Sequence, residues 1–218
     1  MGWERMSYNM NVWAIVPVKP LGRAKSRLSD ELLPEQREQL ATELLARTVR
    51  LLVPITQIRG VLVISRDTKA LAMVRELGAN TVQESGTPEL NNALLRATQV
   101  LKAWHAEAVL VVPADIPLLA AEDVEEMVQR GRYQNSVVIA PDRHETGTNL
   151  LFARPPGLIP YAFGENSFAE HQRLALEVGA QVFIYRSERA SLDVDWPDDL
   201  ERYYHLAKSL GQPVPDLT

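Results

Sequence analysis

The segment from Ala108 to Leu119, AVLVVPADIPLL, combines an apolar run, a chain break and one carboxylate. Residues Ala108 to Val112 carry no polar side chain. A short valine-rich run bounded by proline is typical of a strand covered on both faces of a parallel sheet. Asp115 follows the carboxyl end of this strand, where ligands of open α/β sheets bind. Asp115 is therefore a candidate ligand of a divalent metal, with a turn or helix cap as the structural alternative.

Similar apolar runs alternate with segments of helical spacing along most of the chain. With short connections, this alternation predicts right-handed crossovers and a largely parallel sheet with helices on both faces, an α/β fold. The predicted strands are Val12–Val18, Gly60–Ser65, Thr81–Gln83, Ala108–Val112, Ser136–Pro141, Thr148–Ala153 and Gln181–Tyr185. The predicted helices end near Leu52, Leu77, Trp104, Arg130, Val178 and Leu210.

Composition and charge narrow the range of functions. The chain has 218 residues, 46% of them hydrophobic, a net charge of −5 and no cysteine. These values predict one domain over residues 1–218 and no broad nucleic-acid surface. The two ends of the chain, at about 1–10 and 212–218, are expected to be loose tails. No apolar run is long enough to cross a membrane and no signal peptide is evident, so a cytoplasmic location is expected. The oligomeric state stays open, a homodimer included.

The histidines give no sign of a metal site. They lack metal-ligand spacing, so each is expected on the surface or in a loop. They are His105, His144, His171 and His205.

A basic loop, KPLGRAKSRLSD, follows the first predicted strand. It places several cations around Gly22, and a strand followed by a glycine-containing basic loop and a helix resembles a phosphate-binding turn. A solvated basic loop is the alternative. The cations are Lys19, Arg23, Lys25 and Arg27, and Ser29 or Asp30 is expected to cap the following helix,.

Polar residues next to small ones mark two further candidate sites. Asn91 and Asn92 begin a predicted helix, where asparagine usually caps, although an amide there can also read a nucleotide base or ribose. In the last third, Thr148 follows a glycine, and Gly164 and Ser167 precede a helix. Free amides and a hydroxyl at that position can bind an anion. The alternative is that Ser167 is a plain N-cap of its own helix.

An acidic segment, LDVDWPDDL, precedes the last helix. Asp193 and Asp195 are two residues apart and should point the same way on an extended segment. Neighbouring carboxylates raise each other's pKa, so the pair calls for a cation. Asp198 and Asp199 fall in the first helical turn, where negative charge favours the helix dipole.

These segments together resemble the MobA-like nucleotidyltransferase superfamily, and most closely its 2-phospho-L-lactate or phosphoenolpyruvate guanylyltransferases. The resemblance spans nearly the whole chain and depends on the order of its segments. Trp196 stands where the family usually carries threonine, and the ELNN segment lacks the usual preceding glycine. The segments are VPVKPLGRAKSRL, ELNNAL, VVPADIPLL, IAPDRHETGTNLLF, FGENSF and DVDWPDDL.

The resemblance implies a Rossmann-like three-layer α/β/α sandwich of the nucleotide-diphospho-sugar transferase type. It implies transfer of GMP from GTP to phosphoenolpyruvate or 2-phospho-L-lactate with release of pyrophosphate, a step in biosynthesis of the deazaflavin coenzyme F420. Residues implied for GTP are Lys19, Gly22, Arg23, Lys25, Arg27 and Asn91. Asp115, Asp193 and Asp195 are implied as Mg²⁺ ligands, Asp115 and Lys25 as catalytic residues, and Thr148, Gly164 and Ser167 as acceptor ligands.

A phosphate nucleophile is already ionised at neutral pH, so this reaction needs no general base, and positioning with charge neutralisation should supply the catalysis. Two other functions stay open. One is a related nucleotidyltransferase with a different phosphorylated acceptor, such as a molybdopterin or sugar phosphate. The other is a non-catalytic nucleotide-binding module.

Overall fold

A computed structural model describes residues 10–86 and 89–215. Strands and α-helices alternate through most of this region, as the sequence predicts. The strands are β1 Val12–Val18, β2 Ile58–Ser65, β3 Asn80–Gln83, β4 Ala108–Val111, β5 Ser136–Pro141, β6 Thr148–Arg154 and β7 Gln181–Ile184. The helices are α1 Pro34–Leu52, α2 Thr68–Glu76, α3 Leu90–Ala103, α4 Ala121–Arg130, α5 Ser167–Glu177 and α6 Pro197–Ser209.

The strands form one sheet in the order β3-β2-β1-β4-β6-β5-β7. All neighbouring pairs are parallel except those that involve β6, which runs antiparallel to both β4 and β5. The mostly parallel sheet of the prediction is confirmed. The reversal of β6 has a consequence for the site, because Thr148 at its start pairs with Pro141 at the end of β5.

Apolar side chains cover both faces of the sheet and make three layers. One buried cluster joins the sheet to α1, α2 and α4, through residues such as Val49, Val74 and Met127. The other joins it to α3 and α5, through residues such as Leu94 and Ala175. The three-layer α/β/α arrangement is therefore confirmed.

A third apolar cluster attaches α6 to the outer part of the fold. Leu200 and Tyr203 of α6 pack against Leu40 and Leu44 of α1. This contact fixes the helix that follows the acidic segment, and with it the direction in which that segment approaches the sheet.

Several predicted helix caps are wrong. Leu33, not Ser29 or Asp30, is the N-cap of α1, and its amide donates to the Gln36 side chain. Glu89 caps α3 by accepting from the amides of Asn91 and Asn92 at 2.9 and 2.7 Å. A carboxylate satisfies two free amides at once, which an asparagine inside the first turn cannot do.

The predicted loose tails fall mostly on residues 1–9 and 216–218, which lie outside the described residues. Gln212 is held by a hydrogen bond from its amide to the Ala207 carbonyl at 2.8 Å. No helix within residues 10–86 and 89–215 is long and apolar enough to cross a membrane. The cytoplasmic location and the homodimer stay predictions.

Candidate active site

The predicted site residues come from connections at one edge of the sheet. The basic loop follows the carboxyl end of β1, and Asp115 follows that of its parallel neighbour β4. Because β6 is antiparallel, its first residues lie at this same edge. Ligands of open α/β sheets bind outside such ends.

Two short 3₁₀ turns shape the basic loop, Leu21–Arg23 and Ser26–Leu28. Lys25 lies between them with φ of 53°, in the left-handed region that non-glycine residues rarely adopt,. The Leu21 amide donates to Asp67 Oδ2 at 3.0 Å. Asp67 also caps α2, so one carboxylate ties the loop to the neighbouring strand–helix connection.

The Lys25 ammonium joins two of the predicted aspartates. Its Nζ lies 3.1 Å from Asp115 Oδ2 and 3.1 Å from Asp195 Oδ1, and the side chain is only 7% exposed. Burial alone would lower the pKa of Lys25, but the negative charges of the two aspartates outweigh it and raise the pKa above its ordinary value,. The lysine therefore stays charged in the site.

The other members of the basic loop are exposed. Arg27 donates to Asp195 Oδ2 at 3.1 Å, and its guanidinium lies 4.8 Å from the centre of the Trp196 ring. Lys19 and Arg23 form no ion pair within the described part of the chain. Gly22 is exposed, and a β-carbon on it would lie 3.6 Å from Glu38 of α1. Of the four cations of this loop, Lys25 and Arg27 are thus the ones that form ion pairs with the acidic segment among the described residues.

Asp193 is the most perturbed carboxylate of the site. Burial, followed by the nearby charge of Asp115 and then that of Asp195, raises the pKa of Asp193 to about 6. Asn149 Nδ2 lies 3.4 Å from Asp193 Oδ1 and donates to the Ala190 carbonyl at 3.0 Å. Asp115 and Asp195 are therefore close enough to Asp193 to influence its ionisation.

The acidic segment is held from two sides. The Val194 amide donates to the Asp115 carbonyl at 3.0 Å. Asp199, at the start of α6, accepts from the Trp196 amide at 2.8 Å and pairs with Arg143 at 3.0 Å. These contacts fix the backbone around Asp193 and Asp195, so that their carboxylates need little reorganisation to bind a ligand.

Side chains of His, Cys, Asp and Glu in the described ranges form no group of three with metal-site geometry. The donor set nevertheless suits Mg²⁺, which binds through one or two carboxylates together with substrate phosphates. Asp115 and Asp193 are carboxylates of this kind, and a cation would offset the negative charges that, after burial, raise the pKa of Asp193,.

The residues predicted for the acceptor form a second cluster. Ser167 is the first residue of α5 and not its cap, and its Oγ accepts from the Thr148 amide at 2.9 Å. Both side chains are buried. Gly164 has φ of 142°, which favours glycine, and the amides of residues 164–166 donate to no group within the described ranges. Hydroxyls and free amides therefore meet at the start of α5.

Asn91 connects this cluster to α3. Its Oδ1 accepts from the Phe163 amide at 2.8 Å and its Nδ2 donates to the Phe163 carbonyl at 3.1 Å. One amide hydrogen of Asn91 has no partner in the part of the chain that the structure describes. The role of Asn91 in nucleotide binding stays a prediction, and the structure adds a role in fixing the loop before Ser167.

Sequence reasoning missed four residues that organise the site: Asp67, Arg143, Asn149 and His171. His171 was expected on the surface or in a loop, but it is fully buried in α5 and contacts Thr148. Burial lowers the pKa of His171 to about 4, so it is neutral. The TGTN segment already placed Asn149 beside a predicted ligand, whereas a lone histidine or arginine carries no comparable signal.

Comparison with known proteins identifies the family. Residues 12–206 match the family described as "Guanylyl transferase CofC like". The chain belongs to this CofC-like family. It is 39% identical to a phosphoenolpyruvate guanylyltransferase from Rubrobacter xylanophilus, over 88% of this chain and 93% of that protein. It is 37% identical to a 2-phospho-L-lactate guanylyltransferase from Methanothermobacter thermautotrophicus, over 88% of this chain and 83% of that protein.

Solved structures support the fold of this CofC-like chain. A proposed nucleotide-diphospho-sugar transferase from Desulfovibrio desulfuricans G20 superposes with a TM-score of 0.76 at 16% identity, covering 91% of this chain and 88% of that one. A nucleotidyl transferase from Methanothermobacter thermautotrophicus gives 0.65 at 15% identity, covering 91% and 99%. The predicted nucleotidyltransferase fold is thus confirmed.

Proposed function

We propose that this CofC-like protein transfers GMP from GTP to phosphoenolpyruvate or 2-phospho-L-lactate and releases pyrophosphate, as a step in coenzyme F420 biosynthesis. The relatives that carry these activities in their names match most of the chain. The proposal needs a nucleotide site and an acceptor site that adjoin each other.

The observation that carries the proposal is the pair Thr148 and Asn149. Consecutive residues of a strand point to opposite faces of the sheet. Thr148 contacts Ser167 and His171, whereas the side-chain amide of Asn149 donates to Asp193. Two neighbouring residues of β6 therefore join the acceptor cluster to the acidic cluster.

In the proposed reaction, an oxygen of the acceptor phosphate forms a bond to the α-phosphorus of GTP. The bond between the α-phosphorus and its bridging oxygen to the β-phosphate breaks, and pyrophosphate leaves with that electron pair. No proton transfer is required, since the attacking oxygen is ionised. Catalysis then consists of bringing anions together and neutralising them.

Different residues of this chain bind the nucleotide, the metal ion and the acceptor. Lys25 carries a positive charge beside the acidic cluster and neutralises phosphate oxygens, and Arg27 at the exposed rim attracts the triphosphate,. Asp115 and Asp193 would hold Mg²⁺, with Asp195 held by Lys25 and Arg27. When bound there, Mg²⁺ supplies charge neutralisation to phosphate oxygens. Thr148, Ser167 and Gly164 bind and orient the acid.

The test is GTP-dependent pyrophosphate release with each acid in turn, in the presence of Mg²⁺. We expect turnover with at least one acid and formation of the corresponding guanylylated product. Asp115→Asn should reduce kcat by about a hundredfold or more, because it removes a charge from the reacting centre.

Asp198→Asn is the matched control, because Asp198 is an exposed carboxylate in the first turn of α6. It should retain the parental kcat. Absence of pyrophosphate release with both acids would overturn the proposed function. A parental kcat in folded Asp115→Asn would overturn the metal site.

A further inference from the structure

His171 is a buried polar residue that the proposed reaction does not use directly. It lies on α5, one turn after Ser167, with none of its surface exposed. Its ring and that of Phe163 form an edge-to-face pair, with ring centres 4.9 Å apart and the planes at 70°. Both ring nitrogens form hydrogen bonds, so the imidazole has a fixed orientation.

The hydrogen bonds of His171 determine its tautomer. The backbone amide of Ala162 can only donate, and it lies 3.1 Å from Nε2. Nε2 must therefore be the unprotonated nitrogen, and a neutral imidazole then carries its hydrogen on Nδ1. Burial lowers the pKa of His171 to about 4, which keeps the ring neutral at physiological pH.

This tautomer sets the direction of the Thr148 hydroxyl. Nδ1 and Thr148 Oγ1 are 2.9 Å apart, and Nδ1 already carries a hydrogen, so the threonine oxygen is the acceptor. The hydroxyl hydrogen of Thr148 must then point to another group. No residue in ranges 10–86 and 89–215 accepts it.

Ser167 has the same arrangement. Its oxygen accepts from the Thr148 amide at 2.9 Å, and no acceptor for its hydrogen is found among the described side chains and carbonyls. Thr148 and Ser167 thus form a pair of hydroxyls whose oxygens are occupied from inside the fold. Each has one hydrogen left to give to an anion.

We propose that His171 is a positioning residue for the acceptor: its Nδ1–H makes the Thr148 hydroxyl an obligate donor toward the phospho-acid, while its Nε2 holds the Ala162 end of the loop that leads to Gly164. This inference rests on the proposed function, because the acceptor cluster is the site that it refines. His171 acts through Thr148 and the loop and does not touch the acid.

Two anchors hold the loop that carries Gly164 and Ser167. His171 binds the Ala162 amide, and Asn91 binds the amide and carbonyl of Phe163. The loop therefore enters the acceptor cluster at a fixed position, and the free amides that follow can serve the same anion as the two hydroxyls. Loss of His171 should weaken acceptor binding without affecting GTP.

Steady-state kinetics of His171 variants test the proposal. His171→Leu removes both hydrogen bonds and should raise the KM for the reactive acid about tenfold or more, since each lost contact serves a charged ligand. His171→Asn places an amide N–H where Nδ1–H lies and should restore much of this loss. The KM for GTP should stay within about twofold in both variants, because GTP binds residues of other elements.

The double variant separates positioning from structure. If His171 acts through Thr148 as well as through the loop, Thr148→Val and His171→Leu together should raise the acceptor KM by clearly less than the product of the two single increases. Nitrogen-15 NMR of the folded parent should show the hydrogen on Nδ1. This spectrum needs no turnover and stays decisive where His171→Leu does not fold.

Each outcome is decisive. Failure of the parent to react with either acid would overturn the proposed function, and this inference with it. An active parent whose folded His171→Leu variant keeps the parental acceptor KM, or additive effects in the double variant, would overturn the positioning role alone. A hydrogen on Nε2 in the spectrum would overturn it as well.

Discussion

Replacing Asp193 with asparagine should stabilise the folded protein at neutral pH while removing its activity. Burial, followed by the charges of Asp115 and Asp195, raises the pKa of Asp193 from 3.8 to about 6. A carboxyl group whose pKa is higher in the folded protein than in the unfolded chain favours folding only while it is protonated. Its contribution is complete below the unfolded value of 3.8 and is lost as the pH rises through about 6,.

The magnitude follows from the difference between these two pKa values. A difference of about two units corresponds to at most about 3 kcal/mol in the free energy of unfolding, since one unit is about 1.4 kcal/mol. Asparagine keeps the shape of Asp193 and can still accept from Asn149, but it has no charge to bury. The variant should therefore unfold at a higher urea concentration than the parent at pH 8.

Urea unfolding between pH 4 and pH 8, paired with an assay of guanylyl transfer, checks this prediction. The stability difference between Asp193→Asn and the parent should shrink as the pH falls, and the variant should lose turnover at every pH. Asp198→Asn is the control: it should lose about 0.3–1 kcal/mol from the helix dipole and keep its activity. An Asp193→Asn variant no more stable than the parent at pH 8 would refute the reasoning.

Four further predictions concern the nucleotide side. Lys25→Met should lower kcat/KM for GTP at least tenfold, about 1.4 kcal/mol in steady-state kinetics, because the ammonium beside Asp115 is lost; a parental value would return the basic loop to a solvated role. Arg27→Ala should raise the KM for GTP, and the loss should diminish at high salt. Trp196→Thr should change the same KM by less than about fivefold, because an exposed cation–π contact is worth about 0.5–1 kcal/mol. Mg²⁺ with GTP should raise the Tm of the parent, and calorimetry should show a smaller rise for Asp115→Asn.

Most of the fold could be predicted from the sequence because its strands are short apolar runs with clear ends. The strands Val12–Val18 and Ser136–Pro141 have the predicted bounds, and the helix α4 ends at the predicted Arg130. The apolar pattern of β6 does not give its direction, since buried parallel and antiparallel strands look alike. The signal lies in the short connection instead, because residues 142–147 are too few for a crossover between parallel strands,.

The candidate site was predicted where charge or chain position gave a signal. Lys25 and Asp115 follow strand ends, and they meet in the structure. Residues that act through hydrogen bonds to distant parts of the chain gave no such signal. Arg143 pairs with Asp199, and His171 binds Ala162 and Thr148. A single arginine or histidine is far more often an unremarkable polar residue, so only three-dimensional contacts distinguish these two.

The register of β6 decides which of its residues faces which cluster. A shift of one residue would turn Thr148 away from His171 and Asn149 away from Asp193, because neighbouring strand residues alternate between faces. The loop before β6 holds this register: Asp142 accepts from the Thr146 and Gly147 amides at 3.0 and 2.9 Å. A β-carbon on Gly147 would lie 2.7 Å from Asp142 Oδ2, so a larger residue there would displace the carboxylate that holds the turn. The glycine of the TGTN segment thus serves the turn that sets the register, while the threonine and asparagine after it serve the two clusters.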